Sequence, residues 1–455
     1  MSVHYTTCSI CEASCGIVVE VEGGAVTGIR GDADDPLSRG HICPKATALQ
    51  DLQDDPDRLR QPMKRTSSGF EPCTWDEALD ATIDAIHRIQ SEHGRDAVGL
   101  YLGNPNVHNT GAMLFGPAWI RTVRSRNTYS ATSVDQLPQM LAAAQMFGHQ
   151  LLLPIPDVDH TDLFVIIGAN PLVSNGSLMT APDMRGRMKA IQKRGGKIVC
   201  IDPRRTETAR KSDQHLFIRP GTDAYLLLAL INVVLDGRED LGPHRGIIDG
   251  LEDLRAAAAP YTPEGVAAVT GIEAERIRAL AISVATTPRA AVYGRVGACT
   301  QAFGGLTSWL INALNIVSGH LDVEGGVMFT QPAFDAMYPP GSKPGRGKRA
   351  RWKSRVRGLP EFSGELPVAA LAEEILTPGE GQIRAMVVWA GNPVLSTPNG
   401  TQLDEAFASL EFCVAADFYI NETSRHANYI LPPSPPLSRD HFDVIFQLLQ
   451  VRNTV

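Results

Sequence analysis

Short apolar runs punctuated by turn residues recur along the whole chain. In GIVVEVEGGAVTGIRGD (residues 16–32), apolar and polar positions alternate on either side of Gly23-Gly24. Period-two alternation around paired glycines predicts a small β-hairpin. Two later segments, LFVIIGANPLVSN (163–175) and AMVVWAGNPVLSTPN (385–399), each open on five apolar residues in a row. Each predicts a strand buried on both faces that ends in a glycine/alanine turn, then Asn and Pro, and opens into a loop.

A second matching pair lies downstream, KIVCIDPRRTETARKSDQHL (197–216) and FCVAADFYINETSRHANYIL (412–431). Setting Asp202 on Asp417 also sets Glu207 on Glu422, Thr208 on Thr423, Arg210 on Arg425 and Leu216 on Leu431. Five identities at one offset, behind matching strand–turn units, mark an internal duplication. Helical stretches such as DMRGRMKAIQKRGG (183–196) alternate with these strands, which predicts βαβ units and parallel sheets covered by helices. Ligands of such sheets bind beyond the carboxyl ends of the strands, where the Asn-Pro and Asp turns lie. Two related units imply two nucleotide-like ligands, or one ligand with two such ends.

AYLLLALINVVL (224–235) predicts a buried helix, and at 12 residues it is too short to cross a bilayer. RPGTDA (219–224) opens it. Thr222 or Asp223 can cap it. The Asp223 carboxylate can instead accept from a purine with adjacent ring N–H and amino donors, which guanine has and adenine lacks.

With 455 residues, 43% of them hydrophobic, the chain has material for two to four domains with cores of their own. A net charge of −8 excludes a broad electrostatic footprint for nucleic acid or an anionic membrane. A small-molecule substrate and protein partners are expected instead. Seven residues without export character precede Cys8, so a cytoplasmic location is expected. In that compartment eight cysteines serve metal ligation, redox chemistry or burial rather than disulfides. Cys73, Cys200, Cys299 and Cys413 stand singly and are read as buried.

The other four form Cys8-x2-Cys11-x3-Cys15-x27-Cys43. Four thiolates can hold a tetrahedral zinc or a cubane iron–sulfur cluster. Three ligands crowded on one loop with a distant fourth favour the cubane; zinc, or no metal, stays open on spacing alone.

These elements together resemble the molybdopterin-dependent oxidoreductases of the dimethyl sulfoxide reductase class, which includes formate dehydrogenases and nitrate reductases. The resemblance rests on the cysteine pattern with CPK (43–45), the strand-GANP unit, IDPRRTETA, RPGTDA, GACTQAFGGLTSWLINALNIVSGHLDVEGG, WAGNP and ADFYINETSRHANYILP, in that order. It implies a 4Fe-4S cluster on Cys8, Cys11, Cys15 and Cys43. It also implies molybdenum or tungsten held by two pterin guanine dinucleotides, one on each α/β domain.

The dinucleotide positions so implied are Gly168, Asn170, Pro171, Asp202 and Arg204 with Arg219, Gly221 and Asp223. Gly391, Asn392 and Pro393 serve the other half. Lys45 matches the family lysine that lies between cluster and pterin, and Gln301 matches a residue near the active site. The expected architecture is a β iron–sulfur unit (1–58) and two pseudo-symmetric, Rossmann-like α/β domains. One is assembled from 59–128 and 319–455; the other, 129–318, is inserted in it.

Family members ligate the metal through Cys, selenocysteine, Ser or Asp from a loop before the strand-GANP unit. That loop here, NTYSATSVDQLPQML, has no cysteine and places Asp135 at the position, with Ser133 as the alternative. A hard carboxylate oxygen suits a high-valent metal. The competing reading is local: Ser133-x-x-Gln136 forms a capping box, and Asp135 can cap a helix that carries Pro138 in its first turn.

Formate dehydrogenases place a thiolate or selenolate followed by His at this position, and an Arg after the Gly-Gly segment. Asp135-Gln136 and VMFTQPAFDAMYPP depart from both, which disfavours formate oxidation. Family catalytic subunits continue into a C-terminal β-barrel beyond the ILPP segment. Here the sequence stops at Val455, so a separate polypeptide supplying that domain is a possible partner.

The expected function is two-electron oxidoreduction or oxygen-atom transfer, with electrons leaving through the cluster to a redox partner protein or carrier. The alternatives are a non-catalytic electron-transfer or scaffold subunit that has lost molybdenum, and a zinc-stapled nucleotide-binding protein. GSKPGRGKRARWKSRVRG (341–358) carries eight Lys or Arg and reads as a solvated basic loop, or as a steering patch for an anion or acidic partner. The twelve histidines show no paired metal spacing and receive no role.

Overall fold

The computed structural model describes residues 1–332, 335 and 348–451. Strands β1 (Ser2–Thr7), β2 (Gly16–Glu22) and β3 (Ala25–Gly31) form an antiparallel sheet. Glu22 pairs with Ala25, so Gly23 and Gly24 alone make the turn, at φ 60° and 86°. Both values lie in the left-handed region that this tight turn requires and that glycine enters without a Cβ penalty.

The chain then adds β4 (Met63–Thr66), β5 (Gly69–Pro72), β6 (Val98–Leu102) and β7 (Thr128–Ser130). Next come β8 (Ile155–Pro156), β9 (Leu163–Ile167), β10 (Lys197–Ile201), β11 (Gln214–Leu216) and β12 (Ala290–Gly294). After β13 (Val327–Met328), β14 (Arg349–Lys353) and β15 (Pro360–Phe362), the chain returns through β16 (Ala385–Trp389), β17 (Phe412–Ala416) and β18 (Tyr429–Ile430).

Two large sheets result. One has the order β11-β10-β9-β12 and is parallel throughout. The other has the order β5-β4-β18-β17-β16-β6-β7, parallel from β18 to β7 with the β4–β5 hairpin antiparallel at its edge. In each, the strand that ends in Asn-Pro is central, with the Asp-bearing strand beside it: β9 with β10, and β16 with β17. The second sheet draws strands from both flanks of the chain stretch that builds the first.

The sheets are buried on both faces, as parallel sheets covered by helices must be. Leu163, Val165 and Ile167 enter one core cluster while Phe164 and Ile166 enter another. Met386 and Val388 likewise face one core, and Ala385 and Val387 another. The helix Asp223–Val234 lies in the first of these cores, with Leu226, Leu227 and Leu230 fully buried. Each such leucine contributes about 1.5–3 kcal/mol of burial. Cys200, Cys299 and Cys413 are buried and Cys73 half-buried.

Three capping expectations fail. Thr222 precedes the helix Asp223–Val234, but no side chain caps it; the Thr222 hydroxyl donates back to the Arg219 carbonyl at 2.7 Å. The Ser133–Gln136 capping box does not form either. Ser133 sits in a 3-10 turn, Ala131–Val134, and its Oγ accepts from the Val368 backbone N–H at 2.9 Å, a partner 235 residues away. Asp135 caps nothing: Gln136 occupies the N-cap of Leu137–Met146 without a side-chain bond, while Pro138 does sit in the first turn.

The basic stretch is partly ordered by ion pairs. Lys343 and Arg346 lie outside the described residues, but the rest forms β14 and the segment leading to β15. Arg351 pairs with Glu361 at 2.5 Å, Arg355 with Glu374 at 3.4 Å and Arg357 with Glu373 at 2.6 Å. These three charges are matched by acids of the same chain.

Candidate cofactor site at the strand ends

The site is built at the carboxyl ends of β9 and β16. The turn after β9 places Gly168 at φ +55°, where a Cβ would lie 2.5 Å from the Ala298 backbone nitrogen. After β16 the left-handed residue is Ala390, at φ 52°, and the close approach moves to Gly391, whose Cβ would meet Tyr101 at 2.5 Å. The glycine has changed position between the copies because the crowding neighbour has.

Beyond each turn stands the same hydrogen-bonded bracket. Asn170 Nδ2 donates to Glu207 at 2.8 Å, Thr208 Oγ1 donates to Asn170 Oδ1 at 2.8 Å, and the Leu172 N–H donates to Thr208 Oγ1 at 3.2 Å. In the other copy Asn392 donates to Glu422 at 2.6 Å, Thr423 to Asn392 at 2.7 Å, and the Val394 N–H to Thr423 at 3.1 Å. The repeated residues of the sequence are therefore the ones that bond one another. Asn170 and Asn392 hold the Glu207 and Glu422 carboxylates below their ordinary range.

Acids line both edges. Burial pushes the Asp202 carboxyl up, opposed by the Arg204 backbone N–H, which donates to it at 2.8 Å. Burial also raises Asp417, against hydrogen bonds from the Tyr419 N–H and the Asn421 amide. Asp223, 5% exposed, is raised by burial, with a Gln301 side-chain hydrogen bond as the main opposing influence. Gln301 also donates to the Gly297 and Ala298 carbonyls at 3.1 Å. Asp202 and Asp223 are close enough to repel.

Arg204 and Arg219 are exposed at the same edge. Arg204 stands 4.0 Å from Glu207 and Arg219 donates to the Ala268 carbonyl. A Cβ on Gly221, φ +81°, would meet nothing within 4 Å, so the backbone there is open to close approach. Pro171 and Pro393 are buried beneath their turns.

Between the sheet that ends in Gly168 and the cysteine loop lies a cluster of charge. Arg295 Nη1 donates to Asp135 Oδ1 at 2.6 Å and Nη2 to Oδ2 at 3.2 Å. Arg295 is 6% exposed and Asp135 42% exposed in its side chain. Glu12, one residue from Cys11, faces the same arginine. Its carboxyl is pushed up by burial, against the Arg295 charge and hydrogen bonds with Ser177 and the Leu178 backbone. Sequence reading missed Arg295 and Glu12, because each is one charged residue whose meaning comes from a neighbour across the fold.

The four cysteines are free thiols within electrostatic range of one another. The Cys8 N–H donates to the Cys15 carbonyl at 2.8 Å, closing the loop. Burial pushes the Cys8 thiol up to about 11 and Cys15 to about 12, each reinforced by the other cysteines. Lys45, exposed in the turn Pro44–Thr47, acts against this at Cys8. Among the described residues, no three of these sulfurs lie within 4.8 Å of one another.

A four-thiol loop set against two sheets that repeat one bracket defines a cluster-binding α/β protein with a doubled dinucleotide-type edge. The chain belongs to the molybdopterin oxidoreductase family. The model of the molybdopterin oxidoreductase family matches residues 58–436, and that of the molybdopterin oxidoreductase Fe4S4 domain residues 1–55. The cofactors of these two domains are a molybdopterin and a 4Fe-4S cluster.

Relatives include the F420-dependent formate dehydrogenase subunit alpha of Methanocaldococcus jannaschii, 26% identical over 94% of this chain and 63% of its own length. The assimilatory nitrate reductase catalytic subunit of Bacillus subtilis is 26% identical (94% and 62%), and formate dehydrogenase H of Escherichia coli 29% identical (94% and 61%). The chain thus spans about three-fifths of the length of these relatives. The acetylene hydratase from Pelobacter acetylenicus shares the fold, with a TM-score of 0.78 at 20% identity over 94% of this chain and 62% of that one. No described helix is long and apolar enough to cross a membrane.

The residues present fit both groups. Four thiols brought within electrostatic range of one another, two of them buried, need a bound cationic group to hold them as thiolates. Desolvated acids at both sheet edges provide acceptors for the N–H and hydroxyl donors of a nucleotide.

Proposed function

We propose that this chain carries out two-electron oxidoreduction or oxygen-atom transfer on a small-molecule substrate, at a molybdenum or tungsten ion held by two pterin guanine dinucleotides. Such a centre supplies two-electron redox chemistry at the metal. Residues 129–318 are assigned to one dinucleotide, and 59–128 with 319–455 to the other. The bracketed turns Gly168–Pro171 and Gly391–Pro393 hold their ends. Asp202, Arg204, Arg219 and Gly221 complete the first edge, and Asp223, kept in place by Gln301, accepts from the guanine edge.

The observation that supports this reading is the two-point grip of Arg295 on Asp135, with Glu12 of the cysteine loop within electrostatic range of the same arginine. The cysteine loop and the position assigned to the metal's protein ligand thus share one electrostatic neighbourhood. Asp135 is that ligand in this proposal. Its Oδ2 makes the longer of the two bonds to Arg295 and is the oxygen that would exchange that bond for a metal. Ser133 is the poorer choice because its hydroxyl already accepts the Val368 N–H. A hard carboxylate here, in place of a thiolate or selenolate, argues against formate as substrate. Lys45, whose charge acts on Cys8, is assigned to the path between pterin and cluster, where a cation favours the reduced cluster, and a redox partner docks near the cysteine loop.

The test is elemental and nucleotide analysis of anaerobically purified protein, repeated on Asp135→Ala. Molybdenum or tungsten with two guanine nucleotides per metal supports the proposal. Iron without either metal or nucleotide overturns it in favour of a non-catalytic electron-transfer subunit. Unchanged turnover in Asp135→Ala removes Asp135 from the metal.

A further inference from the structure

A second group of metal-binding side chains, none of them among the residues assigned above, meets inside the protein. His108 closes the 3-10 turn Asn104–His108, a short way past the carboxyl end of β6. His441 and Asp443 come from the opposite end of the chain, just before the helical turn Val444–Gln447. One ligand atom from each of the three lies within 4.8 Å of the other two. His108 Nδ1 is 2.7 Å from Asp443 Oδ2, and His441 Nε2 is 3.7 Å from the same oxygen.

The three side chains are buried. His108 and Asp443 are each 2% exposed, and the His441 side chain 3%. The His108 ring stacks on Phe446 at 4.9 Å. Asp443 Oδ1 accepts the Phe446 N–H at 2.9 Å, and the Phe442 N–H donates to Thr110 Oγ1 at 3.1 Å, so both segments are fastened beside the cluster. Yet three ring nitrogens have no hydrogen-bond partner: both of His441 and Nε2 of His108. A buried imidazole is ordinarily hydrogen-bonded. A hydrogen-bonded His–Asp pair would account for His108, but it leaves His441 aimed at the same carboxylate with nothing to bind.

We infer that His108, His441 and Asp443 bind one divalent transition-metal ion of the zinc class, apart from the cluster and the pterin centre. Two imidazole nitrogens and one carboxylate oxygen are a borderline-soft set that suits zinc rather than magnesium or calcium. Around a tetrahedral zinc these donors stand about 3.3 Å apart. The observed 2.7 and 3.7 Å straddle that value, so small side-chain shifts seat the ion. His441 Nε2 then gains the partner it lacks. Water completes the fourth position. The ion ties the segment after β18 to the edge of β6, joining parts of the chain 335 residues apart.

The experiment counts metals on the full chain, with iron, molybdenum and tungsten determined separately. The purified protein carries one further equivalent of zinc, or takes it up when chelator-treated protein is titrated with zinc alone. His441→Ala lowers zinc affinity roughly a hundredfold while its iron content stays at the wild-type level. Wild-type protein that neither contains nor takes up this equivalent overturns the inference, and so does equal uptake by His441→Ala. Should His441→Ala fail to fold, the wild-type titration decides. Loss of molybdenum or nucleotide with zinc retained would count against the proposed function and leave this site standing.

Discussion

Arg295 holds both carboxylate oxygens of Asp135, at 2.6 and 3.2 Å, across 160 residues of chain. The arginine is buried and the aspartate half-open to solvent, so the two halves of the pair are not equivalent. Removing the acid leaves a desolvated guanidinium with fewer partners, which costs several kcal/mol for a fully buried pair. With Asp135 partly solvated, Asp135→Ala is expected to cost about 2 kcal/mol. Asp135→Asn keeps a hydrogen bond and costs less. Chemical denaturation of the two variants measures the difference; equal stability of Asp135→Ala and wild type would show that the pair contributes nothing.

The duplicated bracket makes a paired prediction. Thr208→Val and Thr423→Val each delete a buried hydroxyl that donates to an Asn and accepts a backbone N–H. Each should cost about 1–3 kcal/mol by leaving buried polar partners unmade. Because the two lie on separate sheets, the double variant should lose close to the sum. Strong non-additivity in thermal or denaturant unfolding would mean the sheets unfold as one coupled unit.

Glu207 and Glu422 titrate below their ordinary value of 4.5, chiefly through the amide hydrogen bonds of Asn170 and Asn392. A depressed carboxylate holds its bond above the unfolded pKa and loses it as pH falls through the folded one. The brackets should therefore stay closed down to about pH 5 and open only in the acid range below it. Carbon-detected NMR titration of the two carboxyls gives the midpoints. Asn170→Ala should return Glu207 toward 4.5 and leave Glu422 where it was.

The cysteine loop separates cluster assembly from cluster tuning. Ala at Cys8, Cys11, Cys15 or Cys43 should lower bound iron below four per chain, read by iron analysis after anaerobic purification. Lys45→Gln should keep all the iron and shift the cluster midpoint negative by on the order of a few tens of millivolts, since it removes a nearby positive charge. Iron loss in Lys45→Gln would make the lysine part of the fold instead.

Much of this protein is written in local pattern. The hairpin around Gly23-Gly24, the all-apolar strands β9 and β16, the buried helix Asp223–Val234 and the duplication all follow from periodicity and from offsets between identical residues. They are legible because solvent exclusion acts on residues two, three or four positions apart, and because a copied unit preserves its spacing. The cysteine spacing pointed to a cubane for the same reason, since three ligands share one loop.

Tertiary structure decided what depends on partners distant in sequence. Ser133-x-x-Gln136 spells a capping box, but Val368 claims the serine, so the local bond never forms. Asp135 was legible as an acid near a helix start; that it meets Arg295, and through it Glu12 of the cluster loop, was not. The arginines of the basic stretch are matched to Glu361, Glu373 and Glu374 by folding alone. His108 gains its meaning only beside His441 and Asp443. Sequence determines which surfaces must be buried, because transfer from water depends on each side chain's own chemistry. Charges and metal-binding groups act over a few ångströms, so their roles are set only when the fold chooses their neighbours.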